Sequence, residues 1–242
     1  MPRVEGSVPE VVFLNTSGGL TGGDRLHYDL TLEAGAHVMA TTQTAERAYD
    51  AAGGRAEARV TMSVGAAGHL AWLPQETILY EASHLDRVTE IDLAATASCL
   101  ISETIVLGRA AMGENPRQLH LTDRRMVRRA GVPFWAETLR LDAALLALRE
   151  TPALLGPARA FAVVALLGQG AEDAAPALRR VLTEPDCRAP DCRVEVSGWD
   201  GKCVLRLAAR DGWRLKKQMV RALSVLHRGA LPRVWQMLGE TT

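Results

Sequence analysis

Along residues 26–33 apolar and polar side chains alternate, with Leu26, Tyr28, Leu30 and Leu32 set against His27, Asp29, Thr31 and Glu33. A period of two belongs to a strand with one buried face, because successive side chains point to opposite sides of a sheet. The same alternation sets Ala56, Ala58, Val60, Met62 and Val64 against Arg55, Glu57, Arg59, Thr61 and Ser63. Shorter versions place Ile91 and Leu93 around Asp92, and Leu119 and Leu121 around His120. Turns of glycine and other small residues separate these runs, at residues 33–36, 64–68 and 94–97.

Those turns also mark an internal repeat. LTLEAGAHVMATTQTA begins at Leu30, VTMSVGAAGHLAWLPQETI at Val60 and IDLAATASCLISETI at Ile91. A period of roughly 30 residues signals stacked units, none of which can bury its apolar face alone. The fold class expected is mainly β, a β-helix-like or layered β-sheet body over about residues 11–142. Helices and a β-hairpin are expected over about 143–242, the whole forming a single domain. The helices are placed at Ala143–Glu150, which stops before Pro152, at Ala171–Leu182, and where Leu215, Met219, Leu223 and Leu226 fall at helical spacing. The hairpin pairs Arg193–Val196 with Lys202–Leu207 around Ser197–Gly201.

Composition removes several function classes. Of 242 residues, 48% are hydrophobic, enough for a real core, and 28 basic residues balance 28 acidic ones. Without net charge the chain has no broad field to draw it to a polyphosphate or an anionic membrane, so neither nucleic acid nor membrane is expected as a partner. The basic run Arg124–Arg129 is read as a solvated strand face or a protein-docking patch, since no aromatic cluster beside it could stack bases. The start of the chain lacks a secretory pattern, and Phe161–Leu167, the longest apolar run, is far short of the ~20 residues a membrane span needs. A cytoplasmic location is therefore expected. Cys99, Cys187, Cys192 and Cys203 do not form a disulfide framework, and Cys187 with Cys192 is read as two loop thiols.

Candidate chemistry is sparse. Gly18, Gly19, Gly22 and Gly23 invite a phosphate-loop reading, but the lysine of such a loop is missing and a strand follows instead of a helix. A tight turn suits them better, with Asp24 and Arg25 as an exposed or a buried structural pair. Glu76 and Glu81 resemble a glycosidase dyad, yet in an extended strand they face opposite ways. The six histidines show no metal-binding spacing, although His37 and His69 occupy equivalent places in the repeat. No nucleophile is set beside a base, so no catalytic residue is assigned.

Gly18–Asp24 as Gly-Gly-x-x-Gly-Gly-Asp, Thr41-Thr42-Gln43, Trp72–Ile78 as Trp-Leu-Pro-Gln-Glu-Thr-Ile, and Gly108–Glu114 as Gly-Arg-x-x-x-Gly-Glu come in that order. Together with Leu231–Trp235 they resemble the urease accessory protein UreD family, called UreH in some organisms. Two departures are visible: Asn15-Thr16-Ser17 stands where many members are proline-rich, and the short N-terminus leaves an early strand missing or misassigned. The resemblance implies a non-enzymatic β-rich scaffold that binds UreF, reaches the GTPase UreG through it, and docks on apo-urease. It also implies that nickel passes to urease with no cofactor tightly bound. Nickel accepts carboxylate oxygen, and a transfer route needs incomplete sites. Asp24, Glu76, Glu103 and Glu114 are the candidate ligands, with Arg25 and Arg109 as structural partners that would neutralise them. Two rivals are a β-helical carbohydrate-active enzyme using Glu76 or Glu103 as acid or base, and a nickel-binding protein that acts alone.

Overall fold

The computed structural model describes residues 8–151, 154–183, 191–227 and 229–235. A short strand β1 (Glu10–Phe13) leads into three coils. The first holds β2 (Arg25–Leu32), β3 (His37–Thr42) and β4 (Glu46–Ala48). The second holds β5 (Ala56–Val64), β6 (His69–Trp72) and β7 (Thr77–Leu79), and the third β8 (His84–Leu93) and β9 (Ser98–Leu107). After them come β10 (His120–Arg129), β11 (Val132–Leu141), the short helix α1 (Ala143–Ala147) and β12 (Ala160–Leu167). Helix α2 (Ala175–Thr183), the hairpin β13 (Cys192–Trp199) and β14 (Lys202–Ala209), and helix α3 (Gly212–Leu226) complete the chain.

The coils stack in parallel, as the repeat predicts. Leu30 pairs with Met62 and Met62 with Ile91; one strand further on, His37 pairs with His69 and His69 with Ser98. Two sheets result. The outer one runs β11-β10-β8-β5-β2, with only β11 antiparallel to its neighbour. The larger one runs β1-β3-β6-β9-β12-β14-β13, and β4 and β7 extend it beside β9.

The large sheet is the middle of three layers. Cys99, Ile101, Ile105 and Leu107 of β9 face the outer sheet, while Leu100 faces α2 and α3. Helix α3 starts at Asp211, whose side chain accepts a hydrogen bond from the Arg214 amide, and buries Leu215, Met219, Ala222 and Leu223 on the sheet. Trp235 then seals that face, its indole nitrogen donating to the Leu73 carbonyl at 2.8 Å.

Several local expectations change. Phe161–Leu167 is most of β12, a central strand buried on both faces, which is why it reads as an unbroken apolar run. The hairpin turn is only Asp200-Gly201, both with positive φ, so Ser197, Gly198 and Trp199 are strand. The first helix ends at Ala147 rather than Glu150, and a 3-10 turn at Ala171–Ala174 precedes α2. The basic run does not form one face, because strand alternation divides it. Arg124 points to solvent, Arg125 is buried, and Arg129 lies over the Phe134 ring at 3.9 Å. Cys192 opens β13, where burial pushes its thiol up to about 11, and Cys187 lies outside the described residues.

Candidate functional site

The motifs singled out in the sequence form a column along one side of the stacked coils. The glycine turn touches the first coil, where the Leu20 amide donates to the Arg47 carbonyl at 2.7 Å and the Tyr49 amide to Leu20 at 2.8 Å. That coil touches the second, with the Gln75 amide donating to Thr42 Oγ1 at 2.9 Å and Thr41 Oγ1 to the Leu73 carbonyl at 2.6 Å. The second touches the third, where the Gly108 amide donates to the Leu79 carbonyl at 2.8 Å and the Glu81 amide to Glu114 Oε1 at 3.0 Å. Each motif thus supplies the polar groups that its neighbour's backbone needs.

Glycine is required in the turn by space. A Cβ on Gly22 would stand 2.1 Å from the Ala51 carbonyl oxygen, and one on Gly19 2.4 Å from the Tyr49 ring. Gly22→Ala is expected to cost about 1–3 kcal/mol, since backbone must move to admit the methyl. A urea midpoint equal to wild type would show that the turn does not need this close approach.

Between the two sheets lies a layer of charge. Arg87 of β8 holds Asp123 of β10 in a bidentate pair, Nε to Oδ1 at 3.0 Å and Nη2 to Oδ2 at 2.6 Å. Arg125 donates to Glu103 Oε2 at 2.8 Å and also to Asp123, and Arg87 Nη2 lies 2.9 Å from the same Glu103 oxygen. Thr89 donates to Glu103 Oε1 at 2.7 Å and Arg87 to Thr77 at 3.0 Å. Glu137, 3.6 Å from Arg125, carries the chain of pairs outward to the exposed Arg206. Burial pushes the Glu103 carboxyl up, but the Arg87 and Arg125 guanidiniums outweigh it and hold the group at about 2. A carboxylate so held stays charged and cannot serve as a general acid near neutral pH.

The four carboxylates proposed from the sequence fall in four settings. Glu103 is in the charged layer. Asp24 caps the glycine turn, its Oδ2 accepting from the Thr21 amide at 2.8 Å. Glu76, half-buried, lies 3.9 Å from Lys216 of α3. Glu114 accepts from Arg109 Nε at 2.7 Å, and Arg109 lies over the Tyr80 ring. Arg25 lies 3.8 Å from Glu57, on the outer face of the outer sheet. Among the described residues no group of three His, Cys, Asp or Glu converges as a metal site.

Sequence reasoning missed Arg87, Asp123 and Arg125. Their signal is charge in the inward phase of an alternation, Leu85-x-Arg87-x-Thr89-x-Ile91 and Leu121-x-Asp123-x-Arg125-x-Val127. It also missed Glu46. This acid lines a shallow cleft with Phe13, Asn15, Tyr28 and Thr42. Burial raises its carboxyl, against the Asn15 amide that donates to both its oxygens, and burial together with Glu46 pushes the Tyr28 hydroxyl up to about 12.

The family model described as UreD urease accessory protein matches residues 1–236. This chain belongs to the UreD family. A protein named urease accessory protein UreD from Cereibacter sphaeroides (strain ATCC 17025 / ATH 2.4.3) is 55% identical over 236 residues, 98% of this chain and 84% of that one. UreD of Paracoccus denitrificans is 48% identical over 98% of this chain and 83% of its own length. UreD of Rhizobium leguminosarum bv. trifolii is 42% identical over 94% and 81%. In this UreD-family chain Thr41, Thr42, Gln75 and Glu114 all take part in contacts between coils.

Proposed function

We propose that the chain is a non-catalytic scaffold of urease maturation, required for nickel insertion into apo-urease together with UreF and with UreG recruited through UreF. Membership of the UreD family along nearly the whole chain carries this reading. The state of Glu103 supports it against the carbohydrate-enzyme alternative, because a carboxylate clamped by two guanidiniums is a poor proton donor. Nickel is cargo here, passed on with no cofactor tightly bound. Asp24, Glu76 and Glu114 offer oxygen ligands to nickel in transit, with Arg109 tempering the charge of Glu114, while Glu103 orders the interior between the sheets. The expected place of action is the cytoplasm, beside newly made urease. Among the described residues no helix is long and apolar enough to cross a membrane.

The test is urease activation in cells that express the cognate urease with its accessory proteins, with and without this chain. Activity and the nickel content of purified urease should both fall to background when the chain is left out, and the chain should co-purify with UreF. Fully active, nickel-loaded urease in its absence would overturn the proposal.

A further inference from the structure

His84 and His120 open neighbouring parallel strands, β8 and β10, and pair directly in register. Both occupy the phase that faces away from the core, between the buried Ser83 and Leu85 on one strand and the buried Leu119 and Leu121 on the other. Their ring centroids are 5.1 Å apart. A metal–nitrogen bond of about 2.1 Å puts an ion about 3.3 Å from each centroid, so two imidazoles at cis positions of one ion hold their centroids roughly 4.7–5.4 Å apart. The pair falls inside that window. His37 and His69, the other cross-strand pair, are 6.1 Å apart. That spacing opens the angle at a shared ion to about 135°, away from both tetrahedral and octahedral geometry. His69 is also engaged with Ser98 at 2.8 Å.

From this geometry we infer that His84 and His120 form a surface site for one divalent transition ion of the nickel, copper and zinc group. Imidazole selects these ions over magnesium and calcium, which prefer oxygen. With two protein ligands, water fills the remaining positions, so the ion binds reversibly and exchanges readily. The cations beside the site are already compensated. Arg55, which lines the same surface hollow as His84, lies 2.6 Å from Glu57 and 3.3 Å from Asp86. None of this depends on the maturation reading, because the isolated chain either binds the ion or does not.

The experiment is calorimetric titration of the untagged full-length chain with nickel chloride, beside His84→Ala, His120→Ala and the control pair His37→Ala/His69→Ala. One nickel ion per chain is expected at the tightest site. Each of the first two variants should weaken it about tenfold or more, while the control leaves it within about twofold. Both residues are on the outer face, so circular dichroism should match wild type. If either variant fails to fold, zinc titration of the wild-type chain followed by imidazole nitrogen resonances decides the matter. Shifts confined to His84 and His120 would support the site, and shifts elsewhere would overturn it. Unchanged nickel affinity in folded His84→Ala would overturn it as well, and neither result would touch urease activation in cells.

Discussion

Replacing Asp123 by alanine is expected to cost about 3–5 kcal/mol, a large share of the stability of an ordinary domain. Asp123 is 0% exposed and takes hydrogen bonds from both Arg87 and Arg125. Without it two guanidiniums remain in the interior against Glu103, with Glu137 at the margin, and one of them lacks a counter-charge. The cost is the stranded charge rather than the lost contact, so removing both partners should hurt less than removing one. Asp123→Leu combined with Arg87→Met is expected to recover part of the loss, and a double-mutant cycle in urea should show strong coupling between the two positions. An exposed pair gives the contrast. Arg59→Ala, which breaks a 2.8 Å contact to Glu90 on the outer face, should change stability by no more than about 1 kcal/mol. Equal urea midpoints for Asp123→Ala and wild type would show that the charged layer does not support the fold.

Acid should dismantle the same layer from the other side. The Glu103 carboxyl stands at about 2 in the folded chain against an ordinary 4.5. A carboxyl lowered by folding contributes stability that is complete above its unfolded value and lost as pH falls toward the folded one. The window is therefore from about pH 4.5 down to about 2, and the contribution is on the order of 3 kcal/mol. Stability followed by urea midpoints should decline most steeply below about pH 5. Glu103→Gln should start lower at neutral pH and decline less, because one of the protons driving the transition has no place to bind. Glu57 and Glu114, also lowered by arginine partners, leave a residual slope in that variant. An acid slope unchanged in Glu103→Gln would place the sensitivity elsewhere.

The outer sheet was the most legible part of the chain. Strands β2 and β5 are solvated on one side and packed on the other, so their burial writes itself into the sequence as alternation. Strands β9 and β12 have two buried faces and carry no such trace, and β12 passed for a bare apolar run. The glycine turn was readable as a close approach, but its neighbours Ala51 and Tyr49 were not, because a contact between coils leaves no mark at short range. For the same reason Arg124 and Arg125 looked alike in the sequence, although one meets water and the other meets Glu103. Glu103 was picked out by its place in a repeated motif, and its arginine partners on β8 and β10 could be assigned only once those strands were aligned.

The position of the charged layer has a consequence for how the coils find that alignment. Parallel strands that slide by two residues keep every apolar side chain facing inward, so hydrophobic patterning alone cannot choose between one alignment and the next. Sliding β10 by two residues along β8 sets Arg125 beside Arg87 in one direction and Leu121 beside it in the other, in place of Asp123. Each slip strands a charge in the interior, at a cost of several kcal/mol. An all-apolar version of the layer would keep the burial and lose the means of counting residues.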